Sequence, residues 1–99
     1  MPTVQTTPTL LDKVKLALRL TTDIFDSELN DLIDAAKIDL GIAGVVLPST
    51  LDAICERAII TYCRVNFEDP KDYDRLKASY DEQKAQLSMS SGYTKFQVN

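Results

Sequence analysis

Glu28, Asp31, Asp34 and Asp39 lie close together in the chain, and the first three follow one another at three-residue steps. On a helix that spacing brings neighbouring carboxylates onto one face. Such a pair could share a proton in acid–base chemistry or hold a divalent cation. A solvated acidic face is the alternative, and the rest of the inventory favours it. The chain has no histidine, which removes the commonest general base and metal ligand at neutral pH. Cys55 and Cys63 therefore have no imidazole partner for nucleophilic catalysis or for a zinc set. On one helix their offset amounts to ~12 Å, far beyond the ~4.4–6.8 Å Cα separation of a disulfide. They read as buried structural thiols of a reducing compartment. Gly41-Ile42-Ala43-Gly44 has neither the Gly-Lys-Ser/Thr ending nor the third glycine of a phosphate-binding loop. No catalytic, cofactor-binding or metal-binding residue is assigned, and the expectation is a protein that is not an enzyme.

The elements that carry these residues fit into one domain spanning residues 1–99. A chain of 99 residues buries somewhat over ~60% of the surface its unfolded form exposes, enough to fold alone with little to spare. A hydrophobic fraction of 44% and a charged fraction of 26% are those of a globular protein and too apolar for a disordered one. Net charge is −4, whereas gripping nucleic acid requires clustered Lys and Arg. No run reaches the ~18 apolar residues of a membrane span. MPTVQTTPTLLD lacks a basic region followed by an apolar one, so no secretory signal is expected.

Periodicity predicts an all-α, four-helix bundle-like domain, with a long apolar loop between the second and third helices and an extended C-terminal tail. The helices are expected at about 10–20, 27–40, 50–67 and 70–89, and the tail at 90–99. Leu10, Val14, Ala17 and Leu18 form the buried stripe of the first, which opens on a Thr9/Asp12 capping box. Leu29, Leu32, Ile33, Ala36 and Leu40 line the second, expected to stop with Gly41 in the left-handed C′ position. Ser49, with Asp52 three residues on, is expected to cap the third. The breadth of its apolar face (Leu51, Ile54, Cys55, Ala58, Ile59 and Tyr62) marks it as the central helix. Asp69-Pro70 is the natural start of the fourth. Its near-heptad stripe of Tyr73, Leu76, Tyr80, Gln83 and Leu87 suits packing along a single seam, and Gly92 terminates it.

Two features pose a choice between inside and outside. Lys13, Lys15 and Arg19 make the first helix basic, while Asp26, Glu28, Asp31, Asp34 and Asp39 make the second acidic. Either these signs pair within one molecule, or the basic edge of one subunit (Lys13, Lys15, Arg19) meets the acidic edge of the next (Asp31, Asp34). The latter contact is heterologous, the kind that closes rings. Likewise Val45, Val46 and Leu47 either cover helix ends as core or form an exposed apolar contact for a partner.

The succession LLDKVKLALRL, DSELNDLIDAAKIDL, AICERAIITYCRVNFEDP and YDRLKASYDEQKAQLSMSSGY resembles the small head–tail connector, or adaptor, proteins of tailed bacteriophages and prophages. The resemblance runs from about Leu10 to Tyr93, with ELNDLIDAAKIDL and the closing QL…GY its most telling pieces. It implies an α-helical structural protein of the virion neck, assembled in the host cytoplasm as a homo-oligomeric ring. That ring joins the portal to a downstream connector, stopper or tail-completion protein, and DNA passes through its channel without specific binding. It implies no cofactor and no membrane. The portal contact would fall on a terminal arm of Ser90, Ser91, Gly92, Tyr93, Thr94, Lys95 and Phe96. Tyr93 and Phe96 are then aromatic anchors of the type enriched at binding hot spots; otherwise Tyr93 folds back onto the fourth helix and the end frays. An acidic helical DNA mimic and a small regulatory helical dimer with the fourth helix as its seam are the competing readings. The eleven basic residues interspersed with fifteen acids tell against the mimic.

Overall fold

The computed structural model describes residues 8–67 and 71–94, and of Ser91 the backbone alone. Four α-helices run in order, α1 (Leu10–Ala17), α2 (Asp26–Ile42), α3 (Ala53–Asn66) and α4 (Tyr73–Met89), followed by one 3-10 turn at Ser91–Tyr93. The all-α expectation holds, and α3 is the central helix, packed against each of the other three. Cys55, Ala58, Ile59 and Cys63 of α3 are wholly buried, as are Leu29, Ala36 and Leu40 of α2 and Val14 of α1. Leu76, Tyr80 and Leu87 close the core from α4. Two edge-to-face aromatic pairs brace the packing: Phe25 with Phe67 and Tyr62 with Tyr80, each with ring centroids 5.3 Å apart.

The helix ends differ from expectation in instructive ways. The Thr9/Asp12 capping box is present, with each backbone N–H donating to the other residue's side chain at 3.1 Å. At its other end α1 stops short of Leu20. Arg19 adopts φ +61; its N–H donates to Leu16 O and the Leu20 N–H to Lys15 O. This is the Schellman pattern of 5→2 and 6→1 bonds, here without a glycine. It turns Leu20 back toward the core, where it is half-buried.

The second helix does not stop at Gly41. Gly44 is the left-handed residue, at φ +95, and the Gly44 and Val45 N–H groups return to Gly41 O and Leu40 O. The apolar contact of the motif decides between the two glycines. Ending at Gly44 sets Val45 against Leu40, both buried. Ending at Gly41 would have set Ile42 against Lys37.

The third helix begins at Ala53, and its N-cap is Asp52 rather than Ser49: Asp52 Oδ1 accepts from the Cys55 N–H at 3.0 Å. That shift leaves Ile54, expected in the core, exposed, while Val65 and Thr61 extend the buried face. The N-cap position of α4 is Asp72; the expected start at Asp69-Pro70 lies outside the described residues. The helix ends before Ser90, which is extended, and Gly92 sits in the 3-10 turn without a left-handed backbone.

Candidate docking surfaces

The apolar connection after α2 divides between the two roles open to it. Val45 is buried, Leu47 half-buried and Val46 exposed. The segment is therefore anchored by its first valine and shows its second to solvent.

The chain after α4 is not an extended arm through Thr94. The turn at Ser91–Tyr93 folds onto the connection between α2 and α3. Tyr93 O accepts from the Val46 N–H at 2.6 Å, and Thr94 bridges Val45 in antiparallel fashion. The Tyr93 hydroxyl donates to Asp52 Oδ2. One carboxylate thus caps α3 with one oxygen and holds the terminal tyrosine with the other. These bonds keep the Asp52 carboxyl below the usual carboxylate range, Tyr93 contributing most. The same bond, with some burial, pushes the Tyr93 phenol up to about 12. Ser90 and Thr94 are half-buried and Gly92 is exposed; Lys95 and Phe96 lie outside the described residues. Exposed Ile42, Val46, Ile54 and Met89 all lie within four residues of a group that touches or belongs to this turn. The end of the molecule that carries the terminal segment is thus rich in uncovered aliphatic side chains.

Of the acidic residues on α2, Asp39 stands apart. Its Oδ2 accepts from the Tyr80 hydroxyl at 2.5 Å and from Lys84 Nζ at 3.2 Å, and the Lys84 ammonium sits 5.1 Å from the Tyr80 ring centre. The Tyr80 bond does most to hold the Asp39 carboxyl below its ordinary range; burial opposes it, and Lys84 and Lys77 assist. Burial and Asp39 push the Tyr80 phenol up. These groups line an open cleft of about 130 Å³, together with Tyr62, Asn66, Tyr73 and Lys77. Asp39 and Lys84 pair across it and join α2 to α4, while Lys77 pairs with Asp81 of its own helix. No group of three or more potential metal ligands exists among the described residues. Both thiols are buried, and burial pushes Cys55 up to about 11 and Cys63 to about 12, which leaves no reactive thiolate at neutral pH.

The basic residues of α1 are divided. Lys13 donates to Glu56 of α3 at 2.8 Å. Lys15 lies 2.5 Å from Asp23 and 3.0 Å from Asp26, so both lysines are paired inside the molecule. Arg19, Asp31 and Asp34 are exposed and form no ion pair among the described residues. The acidic pair was legible as such in the sequence. Ile38 and Ile42, exposed beside it, were not singled out. The 31-34-38-42 spacing, opposite the buried 29-33-36-40 stripe, was the available signal.

In this all-α domain the ionisable groups described above are either paired or spread over exposed helix faces. The profile of the phage connector protein family matches residues 10–94, and the chain belongs to that family. No curated protein and no solved structure matches it. Membership makes the chain a structural component of the phage connector, a family not known for enzymes.

Proposed function

We propose that this chain forms a homo-oligomeric ring at the virion neck, joining the portal to the downstream connector, stopper or tail-completion protein, with DNA passing through its channel. Assembly takes place in the host cytoplasm. The segment from Ser90 to Phe96 holds the portal. The observation that carries this reading is the placement of the described part of that segment, through Thr94. The Tyr93 turn is fastened to Asp52 and Val46, at the end where Val46, Ile54 and Met89 are exposed. A partner seated there meets an aromatic segment and an apolar rim together, the composition of an interface centre. The contacts between subunits draw on Arg19, just beyond α1, and on Asp31 and Asp34 of α2, since Lys13 and Lys15 are paired within the molecule, and the exposed Val46, beside Val45 and Leu47, adds to the portal-facing end. A net charge of −4 per chain gives the ring a field that repels phosphates and keeps passing DNA from sticking.

Truncation tests the arm. Ending the chain after Thr94 keeps the docked turn and should leave helicity and melting unchanged while abolishing capture by the cognate portal ring. Ending it before Ser90 should do the same to binding, with a lower melting temperature from loss of the Tyr93 contacts. Portal binding that survives both truncations overturns the assignment.

A further inference from the structure

We propose that the outward face of α2 docks onto the C-terminal end of α1 in a second copy of this chain. Asp31 and Asp34 receive Arg19, and Ile38 and Ile42 cover Leu16 and Ile24. The inference rests on the ring reading above and specifies which surfaces meet.

Positions 31, 34, 38 and 42 advance by three, four and four residues, which keeps them on one side of a helix. The core stripe at 29, 33, 36 and 40 occupies the other side. The outward stripe is acidic toward the start of α2 and aliphatic toward its end, with Ile38 64% and Ile42 80% exposed. Leu16, in the last turn of α1, is 79% exposed and Ile24, in the connection from α1 to α2, 78%, and Arg19 lies between them in sequence. Each surface thus offers two uncovered aliphatic side chains and an ionic group that no described residue pairs. The signs are opposite.

Asp31 and Asp34 lie one helical turn apart, with Cβ atoms about 5–6 Å from each other, a span that one guanidinium can bridge with its fork of donors. Lys13 and Lys15 are held by Glu56, Asp23 and Asp26. Arg19 is therefore the cation this edge can offer. Its backbone adds an independent mark: a non-glycine residue at φ +61 occupies a position where glycine is the unstrained choice. Strained positions of this kind cluster where a side chain has work to do. A two-fold contact of either patch with itself would set like charges together. Contact between unlike patches is heterologous and repeats from copy to copy, closing a ring when the rotation permits.

Single variants Leu16→Cys and Ile38→Cys, mixed and treated with a short bis-maleimide, test the pairing at the highest soluble concentration. The native thiols are buried and stay silent. The mixture should yield crosslinked dimer several-fold above either variant alone. Arg19→Asp should weaken association about tenfold or more, and mixing it with Asp31→Arg/Asp34→Arg should restore it. Arg19→Gly should raise the melting temperature while lowering association, separating backbone strain from the role of the side chain. Equal crosslinking within one variant and in the mixture, or no rescue by the charge exchange, overturns the contact. A ring that assembles on the portal without the mixed crosslink overturns this contact and leaves the ring reading in place. A chain that neither self-associates nor adds to the portal in multiple copies overturns both.

Discussion

Asp39 and Asp52 each accept a bond from a tyrosine hydroxyl far away in sequence, Tyr80 and Tyr93. Each carboxylate ties distant parts of the fold together: one joins α4 to α2, the other fastens the last described turn to the start of α3. The choice of Asp52 over Ser49 as the cap of α3 was not legible locally, because Ser and Asp are near-equal caps. What distinguishes Asp52 is Tyr93, a contact across the fold. Asp39 permits a test of sign. Its folded carboxyl is held down chiefly by the Tyr80 bond, so it releases its proton more readily in the folded than in the unfolded chain. The stability it contributes is present above the unfolded value near ~4 and is lost as pH falls through the lower folded value. Asp39→Asn keeps an acceptor for Tyr80 and removes the charge. Urea melts over a pH series should show wild type and variant furthest apart at neutral pH and converging in acid. A constant gap would mean that the charge of Asp39 is irrelevant.

Helix existence was legible and helix ends were only partly so. Apolar periodicity placed all four helices, and Thr9 with Asp12 marked the first turn of α1. The end of α1 left no trace, since the left-handed residue there is an arginine. The end of α2 left two glycines to choose from, and the deciding signal lay one residue further on, in Val45 rather than in the glycine itself. Two substitutions separate these positions. Gly44 sits at φ +95, so Gly44→Ala should cost about 1–2 kcal/mol whatever space surrounds it. Gly41 lies within the last turn of α2 with nothing within 4 Å of an added Cβ, so Gly41→Ala should gain about 0.5–1 kcal/mol. Denaturant midpoints report both directly. A loss on Gly41→Ala with none on Gly44→Ala would return the helix end to Gly41.

At the scale of the molecule, one small core supports a chain whose proposed contacts lie on its outside. The broad stripe of α3 announced its central position, whereas the docked Tyr93 turn and the internal pairing of Lys13 and Lys15 depend on which distant residues the fold brings near. That division predicts how variants separate. A chain of this length has a stability of about 5–15 kcal/mol. Ile59 is wholly buried on α3, so Ile59→Ala should remove about 2–5 kcal/mol through lost burial and the cavity left behind. Exposed Ile38 and Ile42 contribute little to the isolated fold, and Ile38→Ser/Ile42→Ser should leave the urea midpoint nearly unchanged while reducing self-association. Ile59→Ala should act the other way, lowering the midpoint while whatever fraction remains folded assembles normally. Melts and sedimentation run on the same samples distinguish the two classes, and an Ile38/Ile42 variant that melts early would place those side chains in the fold instead of on a docking face.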